Sequence, residues 1–192
     1  TNALPVLTVP PTAASAIIGE TNAVTGLSFT DADDNTGFTV KLQATGTSQI
    51  SFSAIDASTI VKDSAGNSLA ATQSANTVTI TGAKAAVNTV LGNLKYTTNA
   101  TLAATESVTV TVTDAKGGVT TGSVPVNAVQ KLTLSSAPTA NKTGTTSDDQ
   151  FTGSLTDFNA YTAYSIVGAG GTDTLALTGV NTTISGLASA IS

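Results

Sequence analysis

The chain of 192 residues contains no cysteine, histidine, methionine or tryptophan. Without cysteine there is neither a disulfide framework nor thiol chemistry. Without histidine the commonest general base and the commonest transition-metal ligand are both missing, so the serine and threonine hydroxyls have no imidazole to activate them. Aromatic residues make up 4% of the chain, too few to line the cleft that carboxylate-based glycosidases use. We therefore predict that the protein is not an enzyme and has no catalytic residues.

Charge is also scarce. Charged residues account for 10% of the chain, against roughly a quarter in an average soluble domain, and the net charge is −5. This acidic balance argues against nucleic acid or an anionic membrane as a partner. No apolar run is long enough to span a membrane. Hydrophobic residues reach 40%, which argues against disorder, and the abundant threonine suits a rigid β structure.

Alternation of apolar and polar residues is the main structural signal. Gly37–Ala44 and Ser107–Thr113 alternate over their whole length, and turn residues recur every eight to twelve positions. Seven or more such strands predict an all-β fold, a β-sandwich. The period changes only in Gly82–Leu91, where apolar residues at spacings of three and four predict one short helix. On that helix we expect Asn88 to bond a neighbouring backbone group, and we expect Tyr96 to lie in the core.

Several finer boundaries follow from the same pattern. We predict one strand over Ala23–Thr30, another over Ser68–Ala71 and a separate one over Lys131–Ser135. Leu4–Val9, which is interrupted by Pro5, is predicted to be an edge strand, where a neighbouring domain or subunit could pair. The residue pattern of the sequence changes after Gln130. We therefore predict a β-sandwich over residues 1–130 and a small β module over residues 131–192.

A dense acidic cluster follows the predicted strand that ends at Thr30. Asp31, Asp33 and Asp34 lie within four residues, and no basic residue is near them in sequence. Calcium takes six to eight oxygen ligands, and aspartates at i and i+2 after a strand can converge on one ion. Glu20 and Asp114 could add carboxylates if the fold brings their strand ends together. The alternative is a solvated turn over residues 34–37.

Three separated motifs in the first 130 residues occur in a recognisable order. Gly26–Asp33 is a strand that enters an Asp-x-Asp turn, Val87–Tyr96 joins an asparagine-bearing helix to an aromatic strand, and Val108–Asp114 is a strand that ends in aspartate. This order resembles the cadherin-like and Ig-like repeats of large bacterial adhesins and surface-layer proteins. The resemblance implies an Ig-like or cadherin-like β-sandwich with one short helix and with calcium at the strand ends. The linker after Asn127 lacks the acidic run with which cadherin repeats share calcium across a junction, so no calcium-bridged junction is expected there.

The last third contains two glycine- and aspartate-rich stretches. Residues 147–153 are similar to the Thr-Asp-Asp-x-Phe-x-Gly opening that precedes calcium-binding parallel β-rolls of the RTX type, and residues 168–177 resemble the nonapeptide of those rolls. A solenoid needs about three stacked repeats, so either further repeats follow in a longer natural chain or this is a small packed module. Residues 157–164 can form a loop or a short helical turn, and Thr183–Ile191 can begin a further coil or a helix. The resemblance implies a second calcium site, with the glycines supplying carbonyl oxygens and positive φ angles. The alternative is that the acids and glycines only form tight turns. The candidate ligands are Asp148, Asp149, Gly168, Gly170 and Asp173.

Three hypotheses of function remain open. The first is a secreted, calcium-stabilised structural segment of a bacterial surface layer or adhesin, which assembles with copies of itself or with neighbouring domains. The second is an adhesion module whose loops bind a cell-surface glycan or a protein. The third is an accessory domain of a secreted enzyme. All three predict an extracellular location.

Overall fold

The computed structural model describes residues 1–100 and 104–179, and these residues form a mostly β protein with several sheets and two short helices. Neither described helix is long or apolar enough to cross a membrane. The elements are β1 (Val6–Thr8), β2 (Ala14–Ile17), β3 (Thr21–Ala23), β4 (Ser28–Thr30), β5 (Phe38–Ala44), β6 (Gln49–Phe52), β7 (Ile60–Asp63), β8 (Thr77–Gly82), α1 (Lys84–Leu91), β9 (Leu94–Thr97), β10 (Ala104–Thr113), β11 (Val119–Thr133), β12 (Lys142–Thr143), β13 (Asp149–Ser154), α2 (Leu155–Asn159), β14 (Ile166–Val167) and β15 (Thr174–Thr178).

The chain forms two compact units. The N-terminal unit comprises Thr1–Ala100 and Thr105–Asn127, and the C-terminal unit consists, in its described part, of Ala104 and residues 128–179. The division falls inside β11, three residues before the predicted boundary at Gln130.

Three sheets make up the N-terminal unit. The largest has the order β7-β8-β5-β10-β11, with β2 also paired to β11. Its β7–β8, β8–β5 and β5–β10 pairs are antiparallel. A three-stranded antiparallel sheet has the order β3-β9-β6, and β1 pairs with β4.

One hydrophobic core serves these sheets, and the alternation read from the sequence correctly identifies its residues. Every second residue of β5 from Phe38 to Ala44 is buried, and Val108, Val110 and Val112 of β10 are fully buried. Because successive side chains on a strand point to opposite faces, this pattern puts one face of each strand into the core. Tyr96 is also fully buried, as predicted.

The predicted helix is confirmed as α1. Its buried side chains occur at spacings of one, three and four residues, so that one face packs into the same core. The buried residues are Ala86, Val87, Val90 and Leu91.

Three strand predictions are wrong in detail. Within Ala23–Thr30 only Ala23, the last residue of β3, and Ser28–Thr30, which form β4, are strand, because Gly26 takes a φ of +89° between them and breaks the extended backbone. Ser68–Ala71 forms no strand and makes only an isolated bridge from Ser68 to Lys62. Lys131–Ser135 is not separate, since β11 continues without a break to Thr133.

Parallel pairing distinguishes the C-terminal unit. The last part of β11 pairs with β13, β13 pairs with β15, and β12 pairs with β14, all in parallel. Phe151 and Ile166 are buried at its centre, with Leu134 beside them. The 157–164 segment, for which loop and helix were both open, begins within α2. That helix starts with a capping box in which Ser154 and Asp157 exchange hydrogen bonds.

The described part of this unit shows no complete solenoid. The predicted element at Thr183–Ile191 lies outside the described residues.

Candidate metal centre

The acidic loop, Asp31–Asn35, leaves the end of β4 and brings three carboxylates together. One oxygen each from Asp31, Asp33 and Asp34 lies within 4.8 Å of the others. No other group of three acidic side chains converges in this way among residues 1–100 and 104–179. Asp31 is only 7% exposed, so the cluster extends from the surface into the protein.

Two carboxylate oxygens of the acidic loop are buried and have no hydrogen-bond donor among the described residues. Asp31 accepts backbone N–H bonds from Asp33 and Asp34 through Oδ1, at 3.0 and 2.8 Å, which folds the loop around that atom. Its second oxygen, Oδ2, is unpartnered, and so is Oδ2 of Asp34. A buried charged oxygen without a partner costs more than the ~1–3 kcal/mol of an unpaired neutral group. A hard cation would satisfy both oxygens, since calcium binds carboxylate oxygens.

Two lysines contact the acidic loop, one through its side chains and one through its backbone. Lys116 Nζ contacts Asp33 Oδ2 at 2.6 Å and Asp34 Oδ1 at 3.0 Å. Lys84 Nζ donates to the backbone carbonyls of Asp31 and Asp34, at 2.8 and 3.1 Å. The hydrogen bond from Lys116 lowers the pKa of Asp33 below its ordinary value and is the largest cause of that shift. The same two carboxylates raise the pKa of Lys116.

The loop is positioned by contacts from distant parts of the chain. Asn88 of α1 accepts from the N–H of Phe29 and donates to its carbonyl, both at 2.9 Å, which confirms its predicted structural role and fixes β4. Gly37 follows the loop by two residues and has a φ of +75°, and a Cβ there would lie 2.9 Å from Ala115 Cβ. Only glycine meets both conditions without strain.

Of the two further carboxylates predicted for this site, Asp114 lies beside the acidic loop and Glu20 does not join it. Asp114 Oδ1 accepts from the backbone N–H groups of Lys116 and Gly118, and its Oδ2 accepts from Asn2. Burial opposes the ionised form of Asp114, but these hydrogen bonds outweigh it and lower the pKa. Glu20 is exposed in the turn between β2 and β3 and is not part of the converging group. Their roles as ligands stay predictions.

The second predicted set lies in two stacked turns, residues 144–149 and 168–173. Asp149 Oδ2 accepts from the N–H and the hydroxyl of Thr145, while Asp148 Oδ1 accepts from the N–H of Thr172. Asp173 Oδ1 accepts from the N–H of Asp149. Asp149 is 1% exposed, and its Oδ1 has no partner among the described residues. Burial raises the pKa of Asp173, and the charges of Asp149 and Asp148 add to the effect. These acids close the turns; a calcium ion between them stays a prediction.

The glycines of the stacked turns match expectation only in part. Positive φ angles were predicted for Gly168, Gly170 and Gly171; Gly171 has a φ of +77°, while the other positive φ in this segment is that of Ala169 (+73°). Glycine is required for close approach instead: a Cβ on Gly168 would overlap the Asp173 carboxylate. One on Gly170 would lie 3.2 Å from the backbone of Thr146.

The comparisons with known proteins assign no family. No protein-family model matches the chain, and no curated protein matches it. A solved structure, the solution NMR structure of a lipoprotein from Bacteroides thetaiotaomicron, is similar at a TM-score of 0.32 and 16% identity. The match covers 66% of this chain and 82% of that one.

Sequence reasoning missed the two lysines. Lys84 and Lys116 belong to a set of seven lysines that form no stripe along the sequence, so nothing marked them out. A signal was nevertheless present for one of them. If the strand end at Asp114 was expected near the acidic loop, Lys116, two residues further on, had to lie there as well.

Proposed function

We propose that this protein is a non-catalytic structural component of a bacterial cell-surface assembly, such as a surface-layer or adhesin segment, and that calcium stabilises it. The acidic loop is the proposed calcium site. In this role the ion neutralises clustered acids at the end of β4 and stiffens the strand ends of the N-terminal unit.

The observation that carries the calcium proposal is the pair of buried, unpartnered oxygens on Asp31 and Asp34. A solvated turn, the alternative reading, would leave its carboxylate oxygens in contact with water. Here the two oxygens are buried. In addition, one carboxylate oxygen each from Asp31, Asp33 and Asp34 lies within 4.8 Å of the other two. Calcium suits such a site better than magnesium, since magnesium keeps several waters and demands near-octahedral geometry.

The architecture of the N-terminal unit supports a cadherin-like sandwich. Strands of the largest sheet and of the β3-β9-β6 sheet bury their inward side chains in one core, and the short helix α1 packs into that core. The Asp-x-Asp turn, the asparagine-bearing helix and the strand ending in Asp114 follow the order of bacterial cadherin-like repeats.

The C-terminal unit supports a solenoid-type stack. Asn141 pairs with Ser165, Asp148 with Thr172 and Asp149 with Asp173, each across 24 residues. The strand registers are the same, since Lys142 is paired with Ile166 and Gln150 with Thr174. A constant offset with parallel pairing is typical of one coil lying on the next. We propose that residues 141–178 contain the beginning of such a stack.

The calcium proposal is tested by thermal unfolding of the intact chain, stripped of metal and then titrated with CaCl2. At a free calcium concentration of about 100 times the Kd, one site adds about 2.7 kcal/mol to the free energy of unfolding. For a chain of this size that raises Tm by roughly 5–10 °C. Asp56→Asn, which changes a half-buried loop acid that is not part of the acidic loop, should respond like the wild type. A Tm that is identical in chelator and in millimolar calcium would contradict the proposal.

The structural role is tested separately. Electron microscopy and sedimentation velocity of the intact chain should show ordered assemblies that form with calcium and dissolve in chelator. An antibody to the chain should label intact source cells. A protein that stays monomeric under all conditions but binds defined glycans on an array would instead favour the adhesion-module hypothesis.

A further inference from the structure

The ammonium group of Lys116 lies against two of the three carboxylates of the acidic loop. It contacts Asp33 at 2.6 Å and Asp34 at 3.0 Å, and Asp34 is one of the two residues with a buried, unpartnered oxygen. One lysine charge cannot balance three carboxylates. The loop therefore holds a partial internal counter-ion and keeps two oxygens unsatisfied.

The backbone of Lys116 is held by the turn, whereas its side chain is held by the acidic loop. The backbone is fixed in the turn between β10 and β11, where its N–H donates to Asp114 Oδ1 at 2.8 Å and the N–H of Asp114 donates to the Gly118 carbonyl. The side chain is 48% exposed, and the two carboxylates are its recorded polar contacts. It can therefore swing into solvent without any change in the turn.

Lys84 has a different arrangement. Its ammonium group donates to the backbone carbonyls of Asp31 and Asp34 and to neither carboxylate. It can stay in place when a cation binds, and it continues to hold the shape of the loop. Lys116 thus acts as a counter-ion that can leave the loop, whereas Lys84 holds the loop backbone in either state.

We propose that Lys116 is a built-in competitor for the cation site, and that a divalent cation binds the acidic loop by displacing its ammonium group into solvent. This inference rests on the proposed function, since it takes the acidic loop to be a calcium site. Asp33 Oδ2 and Asp34 Oδ1, freed of the lysine, join Asp31 Oδ2 and Asp34 Oδ2 as the oxygens open to the ion. The lysine sets the calcium affinity of the loop lower than its three carboxylates would give alone.

The test compares calcium binding by the wild type, Lys116→Gln and Lys41→Gln, using isothermal titration calorimetry on the intact, metal-free chain. Lys41→Gln removes the same charge from an exposed position on β5. Because Lys116→Gln removes a like charge from beside the ion, its Kd should fall about tenfold or more, equivalent to ~1.4 kcal/mol or more. Lys41→Gln should bind like the wild type.

A second measurement needs no variant. Acetic anhydride acetylates exposed amines, and mass spectrometry reports the extent at each lysine. Calcium should increase acetylation of Lys116 in the wild-type chain and leave that of Lys84 unchanged. This readout holds even if Lys116→Gln fails to fold.

The outcomes separate this inference from the proposed function. Equal affinities for wild type and Lys116→Gln, or weaker binding by the variant, with unchanged acetylation of Lys116, would overturn the inference and leave the calcium proposal standing. Binding by Lys116→Gln alone would support the competitor role and overturn calcium binding by the native chain. Absence of binding to both would overturn both proposals.

Discussion

The acidic loop and the stacked turns are both rich in aspartate, yet their carboxylates differ in what they contact. In the acidic loop, Asp31 and Asp34 each keep one buried oxygen without a donor, and the exposed side chain of Lys116 pairs with the carboxylates of Asp33 and Asp34. In the stacked turns, Asp148, Asp149 and Asp173 each accept from a backbone N–H of the same or the adjacent turn, and one buried oxygen, Asp149 Oδ1, has no donor among the described residues. The first arrangement leaves capacity for an ion, while the second uses most of that capacity to hold the turns together.

This comparison teaches that the number of acids in a loop is a poor guide to metal binding. Both stretches have the composition of a calcium site. What distinguishes them is how many buried carboxylate oxygens lack a donor among the described residues, two in the acidic loop and one in the stacked turns, and that depends on the backbone conformation around each side chain.

The acidic loop depends on an anchor far away in sequence, and removing that anchor should give the largest effect. Asn88→Ala removes the side-chain partner of the N–H and the carbonyl of Phe29, which lies in β4 directly before the acidic loop. We expect the free energy of unfolding to fall by about 3 kcal/mol, because two hydrogen bonds at a buried strand are lost. Urea denaturation measures the loss.

The control for this prediction is Thr89→Ala, which removes a helix hydroxyl whose only recorded bond is to a carbonyl within α1. Its effect should be small. If Asn88→Ala is no more destabilising than Thr89→Ala, the anchor does not position the loop.

The stacked turns should instead be self-contained. Asp149→Ala removes the acceptor for Thr145 N and Thr145 Oγ1, so we expect the C-terminal unit to lose about 2 kcal/mol of stability. The loss should be the same in calcium and in chelator, as measured by hydrogen exchange of the amides in residues 142–154. Asp149→Asn keeps an acceptor oxygen and should lose less. A loss that appears only in the presence of calcium would mean that the second predicted site does hold an ion.

The smallest predicted effect concerns pH. The contributions of Asp33 and Asp173 to the free energy of unfolding should change with pH in opposite directions. The pKa of Asp33 is lowered from 3.8, chiefly by Lys116, so its contribution to stability is present above pH 3.8 and lost as the pH falls through the lower folded value. The pKa of Asp173 is raised from 3.8 by burial, so its contribution is present below pH 3.8 and lost as the pH rises through the folded value.

Carboxyl 13C NMR titration of the metal-free chain measures both groups in one experiment. Asp33 should titrate below 3.8 and Asp173 above it. Two curves that coincide near 3.8 would remove the electrostatic contrast between the loops.

Much of the N-terminal unit follows from the sequence, because the signals there are local. Alternation in β5 and β10 and the change of period at α1 identify elements whose inward residues are all buried. The errors also have local causes. Gly26 broke a strand that hydrophobicity alone made continuous, and the parallel partners of β13 could not be deduced because pairing across 24 residues leaves no mark in a short window.

The acidic residues of the candidate site could be predicted from the sequence, but the lysines that contact them could not. Asp31, Asp33 and Asp34 stand together in the sequence, so their convergence needed only a turn. Lys84 and Lys116 come from a helix and a hairpin 50 or more residues away, and only the folded sheet order brings them to the loop. The unpartnered state of two oxygens is likewise a property of the packed structure, since it requires knowing every donor nearby.

Isothermal titration calorimetry of calcium into the intact, metal-free chain tests the contrast most directly when wild type is compared with Asp31→Asn and Asp173→Asn. Each variant removes one negative charge and keeps an acceptor oxygen, but Asp31→Asn places an amide where the unpartnered oxygen stands. The account predicts that Asp173→Asn binds calcium like the wild type and that Asp31→Asn loses the binding. Retained binding in Asp31→Asn, or loss of binding in Asp173→Asn alone, would contradict it.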